Sequence, residues 1–234
     1  MRAEAHAAKH TGTSAGGWLR PAVFGAMDGL VSNVSLISGF AGGSASRSAV
    51  ILAGLAGLAS GAFSMATGEY TSVRSQSEAM KAEIEQERRE LAFYPQAEHA
   101  ELVGVFRSQG VDASTAESVA SQLARDPEVA LRVHARNEFG LDPDDLPSPG
   151  VAALSSFAAF AAGALIPVLP YLLGFSSFLA AAVLAAVALF GLGAAVSRFT
   201  ERSAIYSGAR QLLLGALAAT ATYGVGALVG VTLD

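Results

Sequence analysis

Residues 146–197 read LPSPGVAALSSFAAFAAGALIPVLPYLLGFSSFLAAAVLAAVALFGLGAAVS, a run of 52 positions without Asp, Glu, Lys or Arg. A second uncharged run of 23 positions covers residues 211–233. Of all 234 residues, 52% are hydrophobic and 15% are charged, whereas about a quarter are charged in soluble domains. The mean hydropathy is +0.43. A water-soluble core cannot enclose uncharged runs of this length, so the sequence predicts an integral membrane protein.

The number of membrane spans follows from segment length. A helix needs about 20 mostly apolar residues to cross a bilayer. The segments that meet this requirement are residues 21–42, 48–73, 151–173, 175–197 and 211–233. The predicted fold class is an all-α membrane protein with five transmembrane helices and a cytoplasmic helical insert between the second and third.

The distribution of Lys and Arg predicts the orientation. With the N-terminus inside, 14 of the 15 basic residues lie on the cytoplasmic side and only Arg47 lies outside, as the positive-inside rule requires. The predicted domains are a cytoplasmic tail (1–20), spans one and two (21–73), a cytoplasmic helical acidic domain (74–147) and spans three to five (148–234). The C-terminus is expected outside.

Several classes of protein are excluded by what the sequence lacks. There is no cysteine, which excludes thiolate zinc sites, iron–sulfur clusters and disulfides. The net charge of −5 without a basic stripe argues against nucleic acid as a partner. No Walker A, GxSxG or HExxH motif is present, so we expect neither an enzyme nor a prosthetic group. The polar N-terminus does not resemble a cleaved signal peptide, and the Ala- and Gly-rich chain fits a bacterial inner membrane, with an organellar membrane left open.

Small residues recur at three- and four-residue steps in two spans. Gly54, Gly57 and Gly61 follow this spacing in the second span, and Gly191, Ala194 and Ala195 follow it in the fourth. Such ridges let helix backbones approach closely in lipid, so we interpret them as packing seams and not as sites.

The insert differs in composition from the rest of the chain. Residues 74–147 contain fifteen acidic and eight basic residues, a net charge of −7. Its first helix should continue from the second span up to Pro95, and a second should cover residues 96–108. A third should be capped by Asp112 or Ser114. A fourth should begin at Asp126-Pro127 and end near residue 140, before a linker over residues 142–149.

Acidic side chains recur on the faces of these insert helices. Their spacings are i, i+4, i+7 or i, i+3 for the glutamates and i, i+4 for the one histidine pair: Glu83, Glu87 and Glu90; Glu98 and Glu101; His134 and Glu138. Carboxylates with imidazole and without thiolate suit Fe²⁺, Mn²⁺ or Zn²⁺. Acidic helix faces are also common on solvated surfaces, so the spacing alone leaves both interpretations open.

Two carboxylates lie inside predicted spans. An ionisable residue at bilayer depth usually faces a pathway or a partner, which makes Asp28 and Glu69 candidates for a translocation path. Met65 lies one turn before Glu69 on the same helix face, and its thioether favours softer transition metals. The alternatives are that Glu69 is solvated at the interface and that Met65 fills the core.

Three motifs make the chain resemble the vacuolar iron transporter family. They are DGLVSN at residues 28–33, GAFSMATGEY at 61–70 and IPVLPY at 166–171, and the likeness extends in order over nearly the whole chain. The resemblance implies a carrier that exports Fe²⁺ or Mn²⁺ from the cytosol in exchange for protons. It also implies that the protein works as a homodimer.

The resemblance also implies site residues. By motif position Asp28 and Met65 line the translocation path, and the metal ligands of the insert are Glu87, Glu90, Glu98, Glu101 and Glu138. Some relatives have an acidic residue and a methionine at the positions that Gly57 and Gly61 occupy in this chain. This chain therefore has fewer potential ligands within its spans, and we expect Glu69 to contribute more to the translocation path. Some relatives have methionines where this chain has His134 and Ala135. We therefore expect His134 to be a ligand and the insert site to be less soft.

Two other functions remain open from the sequence. The first is a membrane-anchored metal sensor or buffer in which the insert binds metal and the spans do not transport it. The second is a carboxylate-bridged iron oxidase. Such oxidases use paired Glu-x-x-His spacings, which the insert lacks.

Overall fold

The computed structural model describes residues 17–200 and 202–233, and every regular element in these ranges is helical. The helices are α1 (Leu19–Gly42), α2 (Arg47–Phe93), α3 (Pro95–Ser108), α4 (Ala113–Leu123), α5 (Pro127–His134), α6 (Pro149–Leu172), α7 (Phe178–Thr200) and α8 (Ala204–Leu233). A π-helical turn, Ala135–Phe139, follows α5 directly.

Five of these helices are long and apolar enough to cross a membrane, as predicted: α1, α2, α6, α7 and α8. Three of the starts agree with the prediction to within two residues, and the other two differ by more. Helix α7 begins at Phe178 and not at residue 175, because Gly174 (φ 102°) lies in the turn that precedes it. Helix α8 begins at Ala204, seven residues early, because hydropathy marks where a helix enters lipid and not where its hydrogen bonding starts.

The chain divides into two compact units. The first consists of the described residues up to Thr71 together with those from Pro149 onward, and the second is Ser72–Ser148. Helix α2 belongs to both, since it continues past the membrane-spanning length without interruption until Phe93.

Helix α1 is central in the first unit, and it packs most extensively against α6 and also against α8 and α7. Its contact with α6 is made through glycine. A Cβ built on Gly29 would collide with the carbonyl of Phe160, and a Cβ on Gly163 would collide with the carbonyl of Ala26. The two backbones therefore touch, which is how helices gain dispersion contacts in lipid.

A buried amide joins three helices of this unit. Asn33 on α1 is 2% exposed, and its Nδ2 donates to the carbonyl of Gly54 on α2 at 3.1 Å and to that of Ala164 on α6 at 2.6 Å. Interhelical hydrogen bonds of this kind help fix helix register where lipid offers no alternative partner.

The helices of the second unit begin and end at recognisable signals. Asp112 caps α4 by accepting from the amide of Thr115 at 3.0 Å. Asp126 caps α5 by accepting from the amide of Val129 at 3.3 Å, with proline as the first helical residue. Gly140 ends the π-helical turn in the left-handed conformation, φ 67°. The cap residues match those predicted, with Asp112 in place of its alternative Ser114.

Candidate metal site

Four side chains from different parts of the insert converge on one point. They are Glu87 on α2, Glu98 on α3, His134 at the end of α5 and Glu138 in the π-helical turn. Each offers one ligand atom, and these atoms all lie within 4.8 Å of one another. Three carboxylates and one imidazole are thus grouped at a spacing that a single ion can bridge. We refer to these four residues as the acidic cluster.

His134 is the centre of the acidic cluster. Its Nδ1 lies 2.9 Å from Glu138 Oε1, 3.1 Å from Glu87 Oε1 and 3.7 Å from Glu98 Oε2. Its hydrogen bond is with Glu138. A neutral imidazole can bind a metal ion through a ring nitrogen, and the nitrogen of His134 that faces the carboxylates is in position to do so.

Glu87 is the most deeply buried carboxylate of the cluster. The residue is 1% exposed, and neither of its oxygens accepts a hydrogen bond from the described residues. His134 lies at ion-pair distance from Glu87 without hydrogen-bonding geometry. A buried carboxylate without donors is costly, and a cation bound between the four side chains would offset that cost.

Burial and mutual repulsion also change the protonation of the cluster. Burial, followed by the negative charges of Glu138, Glu98, Glu90 and Glu101, raises the pKa of Glu87 to about 7. Burial also raises the pKa of Glu98, although the nearby His134 acts in the opposite direction. Glu87 therefore binds a proton near neutral pH, and a metal ion would compete with that proton for the same oxygens.

Local structure explains how the side chains reach this point. Pro95 starts α3, so Glu98 lies in its first turn. Arg88, next to Glu87, forms a two-pronged ion pair with Glu128 in the first turn of α5. This pair joins the start of α5 to α2, and His134 lies at the other end of the same short helix.

The amino-acid sequence matches one protein family and several curated proteins. The model of the VIT family matches residues 19–227. The chain belongs to the VIT family. It is 31% identical to "Vacuolar iron transporter 1" of Arabidopsis thaliana, over 93% of this chain and 88% of that protein. It is 38% identical to "Vacuolar iron transporter" of Acanthamoeba castellanii, over 94% of this chain and 82% of that protein.

A third relative is named as a homolog of the vacuolar iron transporters. The chain is 36% identical to "Vacuolar iron transporter homolog 1" of Oryza sativa subsp. japonica, over 91% of this chain and 74% of that protein. The family resemblance predicted from the three motifs is therefore confirmed.

This VIT-family chain brings together four of the six insert residues predicted as ligands. Glu90 is half-buried and Glu101 is exposed, and neither belongs to the group of converging ligand atoms. Both lie near enough for their charges to raise the pKa of Glu87. The role of all six as metal ligands stays a prediction.

The three intramembrane candidates have different surroundings. Asp28 is exposed on α1, and its Oδ1 accepts a hydrogen bond from Ser32 Oγ at 2.8 Å. Met65 is half-buried and packs against a cluster formed by Ala62, Phe160 and Ala164. Glu69 is also half-buried. Among the described residues, three or more His, Asp or Glu side chains converge only in the acidic cluster, so the path role of these three residues stays a prediction.

Sequence reasoning did not identify the partner of Arg88 or the π-helical turn. The close contact of Arg88 is with Glu128, 40 positions away, and Glu85 lies at 3.8 Å. Helix periodicity cannot reveal a pair between distant segments. The Asp126-Pro127 start of α5 was the available signal, because it places Glu128 in the first turn.

Proposed function

We propose that this chain is a carrier of divalent transition metals that exports Fe²⁺ and Mn²⁺ from the cytosol in exchange for protons. The observation that carries the proposal is the convergence of Glu87, Glu98, His134 and Glu138 in a chain with five potential membrane spans. Its curated relatives are named iron transporters. Metal transport by this chain would account for the acidic cluster, the potential membrane spans and the names of the relatives together.

The donor set supports the choice of metals. Carboxylate oxygens with one imidazole suit Fe²⁺, Mn²⁺ and Zn²⁺, and the absence of thiolate and thioether from the acidic cluster disfavours softer ions. Residues 74–147 carry a net charge of −7, which raises the local concentration of cations near the cluster. We infer that the insert collects metal before transport, with Glu90 and Glu101 as additional ligands or counter-charges.

Asp28, Met65 and Glu69 form the proposed path through the membrane. An aspartate exposed on a single spanning chain would be costly in lipid, and Asp28 is exposed on α1. A second copy of the chain would cover it, so the proposed assembly is a homodimer with this path at its axis. Metal passes from the acidic cluster to Asp28 and Met65, with Glu69 near the entrance.

Proton exchange follows from the chemistry of the ligands. Carboxylates must lose their protons to bind metal, and the pKa of Glu87 is about 7. Metal therefore binds the carboxylates of the acidic cluster on the more alkaline, cytoplasmic side, and protons from the more acidic side displace it from the carboxylates of the path. We expect this exchange to drive export when the outside is acidic.

The proposed location is the bacterial inner membrane, with the N-terminus and insert in the cytoplasm and the C-terminus outside. The asymmetry of Lys and Arg supports this orientation, since 14 of 15 lie on one side. The relatives are named vacuolar, and export from the cytosol is the same direction in a vacuolar membrane and in a bacterial one.

Metal uptake into proteoliposomes with an imposed pH gradient tests the proposal. Fe²⁺, Mn²⁺ and Zn²⁺ are compared for the wild type, for Asp28→Ala and for the matched control Asp145→Asn, which removes the same charge outside the spans. We expect gradient-dependent uptake by the wild type and the control, and a loss of at least about tenfold in Asp28→Ala. Uptake that persists in Asp28→Ala would contradict the proposed path.

A membrane-anchored metal buffer is the second candidate, and one observation favours it. The acidic cluster lies entirely within the unit Ser72–Ser148. A buffer would bind metal at the cluster and move none across the membrane. If the wild-type protein binds metal but takes none up into proteoliposomes, the carrier proposal is wrong and the buffer proposal is supported.

A further inference from the structure

Four arginines at or next to the ends of the spanning helices pair with no carboxylate among the residues that the structure describes. All four are exposed. We call them the basic rim: Arg20, Arg198, Arg202 and Arg210. In the insert, by contrast, several arginines pair with carboxylates: Arg74, Arg88, Arg132 and Arg136.

Helix packing places three members of the basic rim at one level. Helices α1 and α8 run parallel, since Gly39 meets Thr222 and Gly43 meets Gly226. Both rise by the same amount per residue, so the register continued toward their N-termini brings Arg20 to the level of the start of α8 at Ala204, two residues after Arg202.

Helix α7 extends this level on its other side. It runs antiparallel to α8, because Gly193 meets Ser207 and Gly208. The register continued toward the end of α7 brings Arg198 to the level of Arg202. Arg210 lies two turns further along α8, and helical side chains point back toward the helix N-terminus, so its guanidinium is directed toward the same end.

Aromatic side chains accompany the basic rim. The guanidinium of Arg20 lies 5.6 Å from the ring centre of Phe24, and that of Arg210 lies 5.9 Å from that of Tyr206. Trp18 and Phe199 are also exposed nearby in the sequence. Aromatic rings next to cations at helix ends are typical of the level at which lipid headgroups lie.

We propose that the basic rim binds the phosphate groups of anionic phospholipids. Guanidinium forms paired hydrogen bonds with phosphate, and these guanidinium groups are not engaged by described carboxylates. The surrounding exposed apolar side chains would contact the acyl chains. The proposal goes beyond metal transport and does not depend on it, because lipid binding is measured without metal.

Native mass spectrometry of the full-length protein in detergent tests this proposal. The protein is titrated with phosphatidylglycerol and, separately, with phosphatidylcholine of the same acyl chains. We expect the wild type to bind phosphatidylglycerol at least about tenfold more tightly, since each arginine near the surface adds to the attraction. The variant R20Q/R198Q/R202Q/R210Q should lose most of this preference.

A matched control removes four positive charges elsewhere. The variant K81Q/R89Q/R107Q/R125Q changes exposed residues of the insert and should keep the preference within about twofold. Equal losses in the two variants, or an unchanged preference in the rim variant, would overturn the proposal.

A smaller variant guards against misfolding of the fourfold one. R198Q/R202Q changes only exposed residues at the α7–α8 connection, and its size-exclusion profile should match that of the wild type. We expect it to lower the preference for phosphatidylglycerol at least about threefold, because each arginine near the membrane surface contributes to the attraction for anionic lipid. A preference equal to that of the wild type would contradict the proposal.

Discussion

Glu87 shows at the scale of one residue how a binding site conflicts with stability. Its side chain is almost fully buried and lacks a hydrogen-bond donor among the described residues. The negative charges of four other glutamates also raise its pKa: Glu138, Glu98, Glu90 and Glu101. Metal-free protein keeps this group protonated more readily than a solvated glutamate. The ionised carboxylate is therefore suited to binding a cation, and without one it is an uncompensated buried charge that destabilises the fold.

Replacing Glu87 by Gln should stabilise the metal-free protein at pH 8 while weakening metal binding. The pKa of Glu87 is raised from 4.5 to about 7, so the folded state binds more protons than the unfolded state between these values. The contribution of Glu87 to the free energy of unfolding is therefore largest below pH 4.5, and it falls as the pH rises from 4.5 to about 7. Removing the charge should restore about 1–3 kcal/mol at pH 8.

Thermal unfolding in detergent at pH 5 and pH 8, without metal, measures this effect. Glu83→Gln, on the same helix but exposed, is the control and should leave the pH dependence unchanged. A Glu87→Gln protein that melts lower than the wild type at pH 8 would contradict the expected sign.

His134→Ala should lower the affinity for Mn²⁺ or Zn²⁺ by at least about tenfold, since it removes the nitrogen at the centre of the acidic cluster. His99→Ala is the matched control. Its imidazole follows Glu98 directly in the sequence, but its Nε2 lies 3.1 Å from Ser121 Oγ, outside the cluster. Isothermal titration with each metal distinguishes the two, and equal effects would remove His134 from the ligand set.

At the scale of elements, glycine spacing predicted helix packing only in part. Gly54 and Gly61 face Val168 and Phe160 of α6, as a seam requires. The seam predicted at Gly191 is wrong, because a Cβ there would have no neighbour within 4 Å, while Gly193 packs against α8. Periodicity shows which residues share a face, but it does not show which face meets another helix.

Gly163→Ala should therefore destabilise the protein and Gly191→Ala should not. The added methyl group of Gly163→Ala would collide with the backbone of α1 at Ala26, and overpacking of this kind costs about 1–3 kcal/mol. Gly191→Ala adds a methyl group in open space and gains helix propensity, about 0.5–1 kcal/mol. Thermal midpoints of the two variants in the same detergent should move in opposite directions, and a lower midpoint for Gly191→Ala would contradict the assignment.

At the scale of the whole molecule, charge is sorted along the chain. The spans are nearly free of charge, and the insert holds fifteen of the twenty acidic residues. In the predicted orientation, 14 of the 15 basic residues lie on the cytoplasmic side. This sorting sets the expected orientation of every connection, because moving arginines across a bilayer is costly.

Cysteine labelling tests this orientation directly, since the natural chain has no cysteine. Ser118→Cys lies exposed in the insert, and Ser176→Cys lies exposed in the turn between α6 and α7. In intact cells a membrane-impermeant maleimide should label Ser176→Cys and leave Ser118→Cys unlabelled until the membrane is opened. The reverse pattern would invert the proposed orientation.

The candidate site was predictable in its residue types and only partly in its membership. Spacing and family likeness selected the glutamates and His134, and the cap signal at Asp126-Pro127 positioned the helix that carries His134. They did not distinguish Glu87, which is buried, from Glu101, which is exposed. Helix periodicity records neighbours three or four positions apart, whereas burial depends on which other helix covers the residue.

The number of spans, the acidic insert and the capped helix starts at Asp112 and Asp126 follow from the sequence because they depend on local properties: hydropathy over about 20 residues and the hydrogen-bonding chemistry of a cap. The convergence of Glu87, Glu98 and His134, the bridge from Asn33 to α2 and α6, and the ion pair of Arg88 with Glu128 arise only when distant segments pack. Those contacts depend on the relative positions of whole helices. No single stretch of the sequence encodes them.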